Sequence, residues 1–256
     1  MTIIHDIFVN DSIQSDRISD LTNIMYTVSA YNRYRSGVNN DSTDKIKDNE
    51  KNELVDIADE SVVPENNDHL FWCCYIGYYG LEKYNELKHR SGNIGMAEKQ
   101  KISEHFKVAP NALKNINQKM TKARAQEIMS EIMVNEKITL NALPAFALYY
   151  KMRILIIKED RIYLDISNRE KDYDKTILLR KTKDKTYALD LNATNEKIAK
   201  IEENCILLFS NEKPLKAISN FKTDELRDLA DKVNLEVEDK ITKTELYRLI
   251  SRKCIW

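Results

Sequence analysis

Residues 68–80 read DHLFWCCYIGYYG, the most apolar short run in the chain. An element apolar on every side has to be enclosed by others, so whatever this chain folds into must place these residues at its centre. Cys73 and Cys74 stand side by side inside the run, near the expected start of a buried helix. A cysteine nucleophile needs a lowered pKa and a base within hydrogen-bond reach. His69, four residues before Cys73, is the nearest imidazole, so Cys73, Cys74 and His69 are the candidate catalytic residues. The alternative is packing, because free cysteine is among the most commonly buried residue types. The other two cysteines, Cys205 and Cys254, complete neither a metal-ligand spacing nor a disulfide framework. The chain therefore reads as intracellular, in a reducing compartment, with no metal and no cofactor.

At 256 residues there is room for one large domain or a medium domain with a small module. The amino-terminal residues carry no basic patch followed by an apolar core, and no run approaches the roughly 18 apolar residues of a spanning helix, so no membrane partner is expected. Residues 1–36 hold one amphipathic helix, with Ile18, Leu21, Ile24, Met25, Val28 and Tyr31 at helical spacing. Residues 37–67 read as an acidic linker or loop; from Asp41 to Asp68 ten acids outnumber three lysines, a net −7, with few large apolar side chains. Residues 68–210 form the main domain. Helical spacing returns in AEKQKISEHF and again from Asn111, where Ile116, Met120, Ala123, Ile128 and Ile132 line one face. SGNIGMAEK, before these helices, reads as a turn. TLNALPAFALYY makes a short helix with Pro144 in its first turn. Then MRILIIKEDRIYLDI shows two β-branched runs around a polar turn at 158–161, a hairpin signal, and TILLRK and TYALDL supply two more strands. Thr194 caps a last helix, TNEKIAKIEEN. Helices followed by a small antiparallel sheet make the fold class α+β.

Residues 214–256 form a separate two-helix unit. Thr223 is the expected N-cap of its first helix, with Leu226, Leu229, Ala230 and Val233 facing inward and Phe221 as a staple. TKTE opens the second helix as a capping box from Thr242 to Glu245, with Leu246, Leu249 and Ile250 inward. ELRDLADKVNLE followed by ITKTELYRLI, with Lys243, Glu245 and Leu246 on a Lys-x-Glu-Leu signature, resembles the helix-extension-helix family of SAP domains and of the amino-terminal module of Rho transcription terminators. Ile241 stands where SAP domains commonly carry glycine, which is closer to the Rho-type variant. The resemblance implies binding of nucleic acid, commonly double-stranded DNA, at the start of the second helix. Free amides there suit a phosphate, making Thr242, Lys243 and Thr244 the expected contacts, with Arg248 and Arg252 on neighbouring phosphates. The unit's own charge is only +1, and a small protein-interaction or packing module is the alternative.

Residues 88–124 are more basic, with nine cations against two acids. Lys114, Lys119, Lys122 and Arg124 are expected to assist on phosphates, unless the acidic segment at 41–68 is what this patch holds.

The order of a cysteine-bearing helix, further helices and then NALPAFALYYKMRILIIKEDRIYLDI resembles the ovarian-tumour (OTU) branch of papain-like cysteine proteases. That likeness implies a papain-like fold with a late catalytic histidine, and a deubiquitinase as the alternative function. The chain departs from it at both places: neither Gly nor Asn precedes Cys73 where the oxyanion turn lies, and TYALDL holds no histidine. A catalytically dead relative is the expectation. FWCCYI, the hairpin and the carboxy-terminal pair together are similar to uncharacterised proteins of large nucleocytoplasmic DNA viruses, which implies host cytoplasm or nucleus, or a virion, with viral or host proteins as further partners. The combined expectation is a non-enzymatic DNA binder, with a structural or virion scaffold as the third reading.

Overall fold

In a computed structural model the apolar run forms helix α1 (His69–Tyr79), buried from Leu70 to Gly77. The structure describes residues 61–87, 90–238 and 240–256, all within the compact unit that starts at residue 53. The expected helix in residues 1–36 and most of the acidic segment lie outside the described residues. Asp68 caps α1 by accepting the Phe71 amide at 3.4 Å. Gly80 ends it at φ 93°, a backbone that side-chain-bearing residues rarely adopt. Helices α2 (Leu81–Glu86), α3 (Ser91–Val108), α4 (Lys122–Val134) and α5 (Leu143–Tyr149) follow, and Pro144 sits in the first turn of α5 as expected.

Two expectations for this helical half change. SGNIGMAEK is helical, not a turn, and opens α3; there Gly95 lets the helix close on α1, since a Cβ would lie 3.3 Å from the Trp72 ring. The helix expected from Asn111 begins only at Lys122. Before it, Ala112–Asn115 makes a 3₁₀ turn and Ile116 bridges to Asn168 instead. The cause is local competition: Asn117 turns its side chain to the Asp165 carbonyl and the Ser167 hydroxyl, and its backbone amide donates to the Ser167 carbonyl at 2.9 Å.

Strands β1 (Ser61–Val62), β2 (Met152–Lys158), β3 (Ile162–Ile166), β4 (Lys175–Lys181), β5 (Tyr187–Asp190) and β6 (Ile206–Leu207) form one sheet in the order β1-β5-β4-β2-β3-β6. The β2–β3 and β4–β5 hairpins are antiparallel, the first turning through Glu159 and Asp160 at φ 55° and 54°. The sheet is nevertheless mixed rather than antiparallel throughout, because β2 pairs parallel with β4 and β3 with β6. Residues 167–174 carry the chain from β3 back across β2, which becomes a central strand buried on both faces. Met152, Ile154 and Ile156 meet the main core, and Leu155 and Ile157 meet α6 (Asn195–Asn204), whose Thr194 cap is as expected. Arg153 fastens α6 to that face by bridging Asp165 and Glu202, each at 2.6 Å. The class is α+β.

After β6 come α7 (Thr223–Lys232) and α8 (Lys243–Lys253). The cap of α7 falls one residue earlier than expected, at Lys222, whose amide is held by the Glu225 carboxylate at 2.7 Å. Leu226, Ala230, Val233, Leu246, Ile250 and Cys254 belong to the same core as α1 and the sheet. Polar ties reinforce this: Arg161 donates to the Lys232 carbonyl at 3.0 Å, Lys232 to the Glu203 carbonyl at 2.8 Å, and Lys158 to the Ile255 carbonyl at 2.7 Å.

Candidate nucleic-acid interface

At the start of α8, Thr242 caps the helix by accepting the Glu245 amide at 3.3 Å. The amides of Lys243 and Thr244 belong to the first turn, which has no intrahelical acceptors. Thr242 and Thr244 are exposed and Lys243 is half-buried. The expected capping box is only half formed. Glu245 turns away from the cap and takes the Arg248 guanidinium in a two-pronged pair at 2.6 and 3.1 Å, which lowers the carboxyl pKa and raises that of the guanidinium. Arg248 thus faces solvent with its charge largely offset, while Arg252 is exposed without an ion pair among the described residues.

The basic stretch divides in the same way. Lys99 is half a buried pair with Asp68 at 2.6 Å, Lys101 donates to Glu98 at 3.1 Å, and Arg124 holds Asn141 at 3.0 Å and Glu212 at 3.7 Å. Lys114, Lys119 and Lys122 are exposed and make no ion pair among the described residues. Lys114 lies on the 3₁₀ turn, Lys119 on the approach to α4 and Lys122 at its first residue, and the Asn168 turn adds Arg169, whose amide donates to the Asn115 carbonyl at 2.6 Å and whose guanidinium donates to the Ile116 carbonyl at 3.3 Å. Arg169 lies some fifty residues from Ile116, and only the β-bridge brings them together.

The cysteine pair has different surroundings. Cys73 and Cys74 are wholly enclosed, and the Cys73 thiol donates to the Tyr187 carbonyl at 3.6 Å. Burial pushes both thiols far above their ordinary 9.0, and the Asp68 carboxylate pushes the same way. A thiol held neutral against an acceptor is the opposite of an activated nucleophile. His69 sits half-buried in the first turn of α1, with no hydrogen bond to either thiol among the described residues. The late strand, β5, brings Tyr187 to Cys73, and through its carbonyl alone.

Three buried carboxylates, Asp68, Glu98 and Asp190, are absent from the sites expected from the sequence. Asp68 accepts the Ile138 amide and Lys99 as well as its cap amide. Glu98, only 3% exposed, accepts the Tyr79 and Tyr150 hydroxyls at 2.8 and 3.0 Å. Asp68 and Glu98 are structural hubs, and Asp190 is held in an ion pair with Lys197. Among the described residues no group of His, Cys, Asp and Glu could hold a metal ion, and no helix is long and apolar enough to cross a membrane. Comparison of the chain with family models, with curated proteins and with solved structures gave no match.

Proposed function

We propose that the protein binds double-stranded DNA without catalysing a reaction on it, mainly through phosphate contacts. The observation that carries this reading is the set of exposed lysines Lys114, Lys119 and Lys122, which make no ion pair among the described residues, on adjoining segments with Arg169 set beside them. Cations that neutralise phosphates release the counterions condensed on the duplex, a sequence-independent contribution to affinity. The first-turn amides of Lys243 and Thr244, with Arg252, add a second point of contact. Side chains fitted to bidentate base contacts play no part in it, so the contacts are blind to sequence.

Fluorescence anisotropy with a labelled duplex, run across a salt series on the full chain, tests the proposal. Binding should weaken steeply with salt. Changing Lys114, Lys119 and Lys122 together to Glu should lower affinity at least tenfold and reduce the salt slope by about 3, as expected for three lost phosphate contacts. Two duplexes of unrelated sequence should bind alike. Absence of binding even at low salt would overturn the proposal and leave a protein-binding scaffold as the better reading.

A further inference from the structure

Strands β2 and β4 run parallel and in register, and their last residues, Lys158 and Lys181, stand directly opposite each other on one side of the sheet. Like charges so placed repel and destabilise a sheet unless something neutralises them. Lys185, in the β4–β5 turn, adds to the repulsion. The Lys181 ammonium pKa is lowered by partial burial first, then by Lys158, then by Lys185. Three cations from two sequence-remote segments thus converge. Among the described residues the acids nearby are few: Glu159 lies 3.8 Å from Lys158 and is itself mostly exposed, and Asp184 is in the β4–β5 turn.

The arrangement is also held in place. Lys158 donates to the Ile255 carbonyl at 2.7 Å, the Trp256 ring covers Lys181 with its centre 5.5 Å from the ammonium, and the Trp256 indole N–H donates to the Tyr187 hydroxyl at 3.1 Å. A cation over an indole face keeps its charge and loses freedom. The surface is therefore preorganised, repulsive by itself, and short of counter-charge among the described residues.

We infer that this end of the sheet, formed by Lys158, Lys181 and Lys185, is a further phosphate-contact surface for the DNA backbone. The inference rests on the DNA-binding reading and adds to it a surface beyond the α8 start and the Lys114–Lys122 patch. Lysines act as point charges on phosphate rather than as readers of base edges, in keeping with sequence-blind binding.

The test uses the full chain and the same labelled duplex. Changing Lys181 and Lys185 together to Gln should weaken binding about tenfold at moderate salt and reduce the salt slope by about 2. The thermal midpoint without DNA should stay level or rise, because a repulsion is removed. Arg at both positions keeps the charge and should bind as the unaltered protein does. If the Arg pair loses binding as fully as the Gln pair, the lysines serve packing and the inference falls. If the Gln pair binds with an unchanged slope while the Lys114, Lys119 and Lys122 variant does not bind, this surface is overturned and the DNA-binding reading stands. No binding by the unaltered protein overturns both. Displacement of the duplex by polyglutamate as readily as by unlabelled duplex would overturn phosphate as the ligand class.

Discussion

Asp68 ties three separate segments of the structure together. Its carboxylate receives the Phe71 amide, the Ile138 amide at 3.2 Å to either oxygen, and the Lys99 ammonium at 2.6 Å, while only 7% of the residue is exposed. Removing it leaves a nearly buried ammonium without a counter-charge, the expensive way to break an ion pair. Asp68→Ala should therefore lower stability by about 3 to 5 kcal/mol. Asp68→Asn, which can still cap α1, should recover part of that, and urea unfolding followed by circular dichroism measures both. At the scale of single residues the sequence discloses half of such a hub. An Asp just before an apolar run is a readable helix start, but Lys99 and Ile138 lie 31 and 70 residues away. Nothing in local spacing could pair them. The thiols differ: the run that holds Cys73 and Cys74 is so apolar that their burial was legible without any structure.

Among the elements, the contact of α1 with β4 depends on Gly77. A Cβ there would lie 2.9 Å from Ile177 Cγ2 and 3.1 Å from its Cδ1, in a part of the core where both residues are enclosed. Gly77→Ala should cost about 1 to 3 kcal/mol despite the better helix propensity of alanine, since overpacking forces the helix off the sheet. Adding Ile177→Val, which removes Cδ1, should return part of the loss as a favourable coupling in a double-mutant cycle. An unchanged urea midpoint for Gly77→Ala would show that the helix can shift without penalty. The hairpins and α5 to α6 follow from periodicity, turn residues and caps that act within a dozen residues. Strand order does not. A hint of the mixed sheet was present in the continuous ILII of β2, because a strand buried on both faces loses its alternation. The 3₁₀ turn at 112–115 escaped because the side chain of Asn117 is satisfied by residues fifty positions later.

For the whole molecule, ionisable groups enclosed in the protonated state set the response to alkali. Burial raises the thiols of Cys73 and Cys74 above their ordinary 9.0, and burial together with Glu98 raises the hydroxyl of Tyr150 above 10.0. In the unfolded chain these groups release protons at their ordinary values, while the folded chain keeps them. Above about pH 9 the unfolded state thus binds fewer protons, and stability must fall as pH rises, by up to about 1.4 kcal/mol per pH unit for each such group. The urea midpoint should be lower at pH 10.5 than at pH 8, and replacing Cys74 by Ala should flatten the decline. A midpoint constant across that range would mean that water reaches these side chains in the folded state.

The same scale governs how the carboxy-terminal helices are to be studied. Their sequence signals are local and complete, two helices with inward faces, and so they read as a separate unit. The structure puts Leu226, Ala230, Leu246, Ile250 and Cys254, each with no measurable exposure, into the core that contains α1 and the sheet. Side-chain donors on Arg161, Lys158 and Lys232 occupy backbone carbonyls across that junction. Chain ended after Ser210 would expose those partners and lose Leu215 as well, so it should unfold without a cooperative transition rather than persist as a smaller folded domain. Calorimetry on the shortened chain decides this. A sharp transition would make the helix pair an independent module, whose removal is then a fair test of DNA binding. A broad one would mean that lost binding on truncation reports unfolding, and that only charge substitutions in the full chain locate the phosphate contacts.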